Sequence, residues 1–142
     1  MLFTLARQVR FQDIDAAGIL FYARAFEYFH DAYAALLDAR GIDLPAIIAQ
    51  KRWGAPLGHA EADFKAPMRY GDRVAVDVLS GELGAKSLKV FYRVRAESDE
   101  TRVFCTGMTA HVFIDFATFK ARAVPDEVRA VFAVKREDED AG

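Results

Sequence analysis

The sequence predicts an α+β domain in which one long antiparallel sheet wraps a single buried helix. Three observations carry that prediction. Residues 21–40 repeat apolar side chains at three- and four-residue spacings and hold few charges. Residues 53–115 switch to a period of two, in four runs of strand length. Those runs are joined by turns and not by helices, so the sheet is antiparallel. A composition of 53% hydrophobic and 28% charged residues is that of a globular chain with its own core, not of a disordered one.

The elements follow in order. MLFTLARQVRF reads as a strand with Phe3, Leu5, Val9 and Phe11 on one face. DIDAAG, residues 13–18, has two acids, small residues and a glycine, and reads as a turn or loop. The helix carries Phe26, Phe29, Tyr33, Leu36 and Leu37 on its repeat, and only Arg24, Glu27, Asp31, Asp38 and Arg40 are charged. A helix this apolar is covered on most sides, and Gly41 suits its C-terminal stop. Residues 43–51 read as a second, short helix. Strands are expected over Trp53–Lys65, Arg73–Leu83, Ser87–Glu97 and Val103–Asp115. Turns are expected at Tyr70-Gly71-Asp72, Gly81 to Gly84 and Ser98-Asp99-Glu100. Pro125-Asp126-Glu127 starts a last helix, with proline in the first turn and acids on its dipole. A single domain is expected over residues 1–135, and the acidic residues 136–142 read as a frayed, solvated tail. The exposed edges of such a sheet favour pairing between two chains.

Several function classes fall away. Lys+Arg 19 against Asp+Glu 21 gives a net charge of −2, which argues against nucleic acid as the main partner. Cys105 is the only cysteine and lies in an apolar run, so it reads as a buried small hydrophobe, with no disulfide and no multi-cysteine metal site. No apolar run reaches the roughly 20 residues that cross a membrane. The N-terminus lacks the basic start, apolar run and cleavage site of a signal peptide, so a soluble cytoplasmic protein is expected. His30, His59 and His111 are too scattered for a zinc motif such as HExxH, and no metal is expected. No serine lies in a GxSxG elbow. GELGAKS at 81–87 lacks the glycine before its lysine that a phosphate loop requires, and GxGxxG is absent. A carboxylate-based site or a non-catalytic binding pocket remains.

Asp13 and Asp15 sit just before the apolar helix. Acids there have two uses. They cap free backbone N–H groups and favour the helix dipole. Alternatively, one carboxylate faces a pocket at the helix start, where free N–H groups stabilise an oxyanion while the carboxylate attacks a carbonyl or activates water.

QVRFQDIDAAGILFYARAFEYFHDAY, residues 8–33, resembles the opening of the hotdog-fold acyl-CoA thioesterases of the 4-hydroxybenzoyl-CoA thioesterase type. ADFKAPMRYGDRVAV, residues 62–76, resembles that family's strand ending in proline before a Gly-Asp turn, and AKSLKVFYRV, residues 85–94, its Lys-Ser pair opening a long strand. The resemblance spans about residues 5–115 and implies the hotdog fold, thioester hydrolysis with no cofactor beyond the CoA of the substrate, and a homodimer or tetramer with each pocket built from both chains. It implies that Asp15 is the catalytic carboxylate, as nucleophile or general base, and that Asp13 supports the loop. Gly18 lets the backbone turn close to the thioester, and the backbone N–H of Tyr22 polarises its carbonyl, the Tyr22 side chain being either functional or packing. Lys86 falls where relatives hold basic residues against the CoA phosphates, although Gly84 and Ala85 replace the basic residues that usually precede it. Arg24 stands where many relatives have asparagine, so loop hydrogen bonding is expected to be rearranged. His30 stands where relatives place an acid, and either lines the acyl pocket or packs. RQV at 7–9, HDAY at 30–33 and PLGHAEADF at 56–64 resemble the 1,4-dihydroxy-2-naphthoyl-CoA hydrolases. That places His59 where it either crosses a dimer interface toward an aromatic acyl group or bonds to a neighbour. Phe21, Tyr22, Phe26 and Trp53 are candidate aromatic lining. The alternatives are a non-catalytic acyl-CoA-binding module, a thioesterase for short aliphatic acyl groups, and a hydratase or dehydratase, which pairs an acid with a histidine placed elsewhere.

Overall fold

The computed structural model describes residues 1–133; the acidic stretch 136–142 lies outside them. The order of elements is β1 (Phe3–Gln8), a 3-10 turn at Phe11–Asp13, α1 (Tyr22–Ala39), α2 (Leu44–Ala49), β2 (Leu57–Phe64), β3 (Arg73–Leu83), β4 (Ser87–Ala96), β5 (Asp99–Val112) and α3 (Asp126–Phe132). The five strands form one antiparallel sheet in the order β1-β3-β4-β5-β2. This is the predicted α+β arrangement.

α1 buries Ala25, Tyr28, Phe29, Ala32, Tyr33, Leu36 and Leu37 against the sheet. Val74, Val76 and Val78 of β3 and Val90, Tyr92 and Val94 of β4 answer them, all at most 1% exposed. The Phe29 ring stacks on Tyr92 at 4.7 Å. Any side chain on Gly107 would run into that Phe29 ring, so glycine here lets the helix lie close to β5. Gly41, at φ +81°, ends the helical segment as expected.

Four expectations are corrected. β1 ends at Gln8, and Phe11 is 71% exposed, edge-on to Tyr70, instead of joining the core face. The cause is the turn that follows, in which Arg10 bends back onto Asp13. β2 begins at Leu57, after the proline that has no N–H to give a ladder. β5 begins at Asp99 because the β4–β5 hairpin turns through two residues, with Ala96 paired to Asp99. Gly81 belongs to strand β3, where the Phe132 ring of α3 occupies the space of its missing side chain.

The outer face of the sheet holds a buried charge cluster. Asp77 of β3 is fully buried and accepts from Arg93 at 2.7 Å, Arg95 at 2.8 Å and Thr4 at 2.8 Å. Burial opposes its ionisation, but these donors outweigh it and keep the carboxyl below its ordinary range. Cys105 is fully buried, and burial pushes its thiol up to about 12, which makes it unreactive at neutral pH.

Candidate active site

The loop between β1 and α1 carries two carboxylates in opposite surroundings. Asp13 is fully buried. Its carboxylate accepts from the Arg10 backbone N–H at 3.0 Å, the Arg10 guanidinium at 3.2 Å and the Tyr28 hydroxyl at 2.7 Å. Burial pushes this carboxyl up, but the Arg10 side chain and backbone and the Tyr28 hydroxyl together hold it below the usual range. Arg24 stands 3.9 Å away and also bonds Glu27 at 2.7 Å, so the arginine expected to rearrange the loop leans on the buried acid. The Asp13 carbonyl accepts the Phe21 N–H at 2.8 Å. Asp13 therefore fastens the loop to the start of α1.

Asp15 is exposed. One carboxylate oxygen accepts the Ala17 N–H at 2.8 Å, which closes a tight turn. Gly18 completes the turn at φ +81°, and its N–H donates to the Asp15 carbonyl at 3.0 Å. The Leu20 N–H donates to Met68 at 2.8 Å, anchoring the loop beside the chain that enters β3. α1 then starts at Tyr22 without a capping side chain from Phe21. The Tyr22 N–H has no carbonyl of its own helix to reach, and the helix end is partly positive. The Tyr22 side chain is 63% exposed, with its ring edge-on to Phe21. An exposed carboxylate on the loop that leads into an uncapped helix start offers groups that acyl transfer can use: a base or nucleophile and a donor for an oxyanion. A groove of about 380 Å³ opens beside this loop, between Ile19, Leu20 and Phe64.

A second, apolar cavity of about 460 Å³ lies along the middle of α1. α2 contributes Ile47 and Ile48, the segment before β2 contributes Trp53 and Ala55, and the loop after β5 contributes Phe116 and Phe119. His30 and Tyr33 of α1 complete the wall. At its edge, His111 bonds the Ala55 carbonyl at 3.3 Å and Thr109 at 2.9 Å, and Thr109 bonds the Tyr92 hydroxyl at 2.8 Å. The carbonyl only accepts, so Nδ1 carries the proton and Nε2 accepts from Thr109. Burial lowers the His111 pKa, and the neutral ring fits this chain of bonds. Phe119 is 69% exposed with φ +57°, a strained backbone for an aromatic residue.

One chain does not bring all the expected residues together. Asp15, Gly18 and Tyr22 share the loop and helix start. His30 lies two helical turns further along, on an exposed position. His59 shares the outer sheet face with Glu61, to which it bonds at 3.3 Å, while Ala62 faces the core. Lys86 precedes Ser87, and the Asp15 loop lies by Phe64, which pairs with Cys105, itself paired with Val94 on the other side of β5. Ser87 and Val94 are seven residues apart on β4, so Ser87, and Lys86 beyond it, stand about 23 Å or more from that end of the sheet. Trp53 lines the cavity, and Phe21 and Tyr22 do not. The sequence reading missed Tyr33, Ile47, Phe116 and Phe119 as lining. The one available signal was LPAIIA, too apolar for a surface turn of helix.

The fold and site define a hotdog-fold thioesterase, a hydrolase of acyl thioesters. The chain belongs to the thioesterase-like superfamily, whose family model matches residues 9–132. It is 32% identical over 138 residues to a 1,4-dihydroxy-2-naphthoyl-CoA hydrolase of Nostoc punctiforme, covering 97% of this chain and 91% of that protein. The structure of a 1,4-dihydroxy-2-naphthoyl-CoA thioesterase from Synechocystis superposes with a TM-score of 0.86 at 27% identity, covering 92% of this chain and 95% of that one. A gentisyl-coenzyme A thioesterase superposes with a TM-score of 0.79 at 28% identity, covering 89% and 98%. Among the described residues, no helix is long and apolar enough to cross a membrane, and no group of three or more His, Cys, Asp or Glu is placed to hold a metal ion.

Proposed function

We propose that the chain is a cytoplasmic homo-oligomer that hydrolyses an aromatic acyl-CoA to the free acid and CoA, with Asp15 as the catalytic carboxylate. One observation carries the reading: an exposed carboxylate, Asp15, on a loop that the buried Asp13 fastens to an uncapped helix start. The Tyr22 N–H donates a hydrogen bond to the developing oxyanion. Asp15 either takes a proton from the attacking water, or adds to the carbonyl and releases CoA as thiolate, leaving a mixed anhydride that water then cleaves. Both routes run on Asp15, the helix start, the substrate and water.

The aromatic acyl group is supported by the named relatives and by a cavity whose volume suits a ring system. The oligomer is supported by the distribution of parts along the sheet. β2 is an eight-residue edge strand that holds Leu57 at 57% and Phe64 at 49% exposure, with no proline to block pairing. Antiparallel pairing of two such edges sets the partner's Leu57 end against this chain's Phe64 end. It thereby brings the partner's cavity mouth and Lys86 end to this chain's Asp15 loop. His59, on the outer face, takes no part in this reading.

Thiol release from aromatic and aliphatic acyl-CoAs by the wild type and by Asp15→Asn tests it, with the molecular mass of the active species measured alongside. Turnover is expected to fall at least 100-fold in the variant, about 2.7 kcal/mol of barrier. Binding of the esters without turnover by the wild type would make the chain a binding module, and a fully active monomer would remove the shared site.

A further inference from the structure

We infer that Phe119 is a specificity-determining residue of the apolar cavity, its ring placed at the mouth to pack against a flat acyl group. The inference rests on the aromatic-thioesterase reading and names the side chain that favours aromatic over aliphatic acyl groups.

Phe119 lines the cavity and is 69% exposed, so its ring stands at the mouth, open to a ligand. Its backbone has φ +57°, a conformation that strains a phenylalanine. The surrounding loop imposes that conformation. The Asp115 carboxylate accepts the Ala117 N–H at 2.8 Å and the Thr118 N–H at 3.2 Å. The Asp115 carbonyl accepts the Phe119 N–H at 2.8 Å, and the Asp115 N–H donates to the Lys120 carbonyl at 2.9 Å. Ile114, at the base of the loop, pairs with Ala121 and with Gly54, which ties the loop to the cavity wall. Glycine or asparagine would hold this turn with less strain. Phenylalanine neither relaxes the backbone nor buries its ring in the core of the chain, so folding stability does not account for it.

The other exposed rings differ. Phe11 sits edge-on to Tyr70, and Phe21 to Tyr22. Among the described residues, Phe64 and Phe119 are the two exposed Phe or Tyr side chains without a ring partner. Phe64 borders the groove beside the Asp15 loop, and Phe119 borders the cavity. Both unpartnered rings therefore stand at openings. A flat acyl ring entering the cavity supplies a partner to Phe119. Ring pairs gain from edge-on or offset packing beyond the area they bury, whereas an alkyl chain gains from area alone.

Two variants separate the ring from the backbone. Phe119→Leu keeps apolar bulk and the strained φ, and Phe119→Gly removes the side chain and relaxes the turn. The ratio of kcat/KM for benzoyl-CoA to that for hexanoyl-CoA is expected to fall about fivefold in Phe119→Leu, through KM for the aromatic ester. Phe119→Gly is expected to raise KM for benzoyl-CoA while its melting temperature rises, a split that a merely structural residue does not give. An unchanged ratio in Phe119→Leu overturns the inference. A variant that shifts the molecular mass in solution also overturns it, since Phe119 is then a subunit contact. Calorimetric binding of benzoate supplies a readout without turnover. Weaker binding by Phe119→Leu than by the wild type supports the inference even if no ester is hydrolysed, and equal binding overturns it. Hydrolysis of benzoyl-CoA with equal kcat/KM by all three proteins overturns it and leaves the thioesterase reading intact.

Discussion

At the start of α1, position is set by hydrogen bonds among residues 10–28, with one bond from Leu20 to Met68. Asp13 accepts from Arg10 and Tyr28 and ties its carbonyl to Phe21, and Asp15, two residues on, is left in solvent with one bond to Ala17. Along the middle of α1 the cavity is made the other way. Its walls come from α1, from residues 44–56 and from residues 114–119, held by packing and by one bond chain through His111. The difference separates two requirements. Acting on a thioester carbonyl needs a few groups at fixed spacing, which a short rigid loop provides. Recognising an acyl group needs volume and surface, which only distant segments packed together provide. In one chain these regions lie at different ends of the sheet, and this is the physical reason for expecting two chains to share a site.

Three changes would break or sharpen that contrast. The largest effect is expected from Asp13→Ala, which strands the buried Tyr28 hydroxyl and unties the loop. Stability should drop by about 3 kcal/mol in chemical denaturation, whereas Asp15→Asn, at an exposed position, should leave the unfolding midpoint in place. A midpoint that Asp15→Asn lowers as much as Asp13→Ala would erase the division between anchor and reactive group. The cavity end should show itself in pH dependence. His111 is held neutral when folded and ionises near its ordinary 6.5 when unfolded, so the unfolded chain binds the extra proton as pH falls. Stability should therefore decline below about pH 6.5, by up to about 1.4 kcal/mol per pH unit, and His111→Asn should flatten that limb. The contributions of Asp13 and Asp77, whose folded values are depressed, are present above about pH 4 and are lost only below it, so the two limbs separate. The smallest change is expected from Phe119→Gly. Glycine accepts φ +57°, so stability should rise by roughly 1 kcal/mol while KM for aromatic esters increases. A variant that gains stability at no cost in KM would show that the strained phenyl is not part of the rim.

Much of the fold was legible because period and burial coincide. The three- and four-residue spacing of Phe29, Tyr33, Leu36 and Leu37 marked α1, and the alternating valines marked β3 and β4. Phe11 misled because a local bond set, Arg10 onto Asp13, ended the strand before the apolar alternation did. The start of β5 was missed because a two-residue hairpin extends pairing into the polar run Asp99 to Arg102.

The sequence by itself determined the wrapped helix, the strand alternation and the DIDAAG loop, since each depends on neighbours within about ten residues. Only the tertiary structure decided which of the two carboxylates is buried, that the Tyr33 hydroxyl is unpaired among the described residues, that His59 faces outward with Glu61, and that the cavity and Lys86 stand away from Asp15. Those outcomes depend on which strands become neighbours and which faces they turn to the helix. Side chains tens of residues apart in sequence settle that by packing, and no local pattern records it.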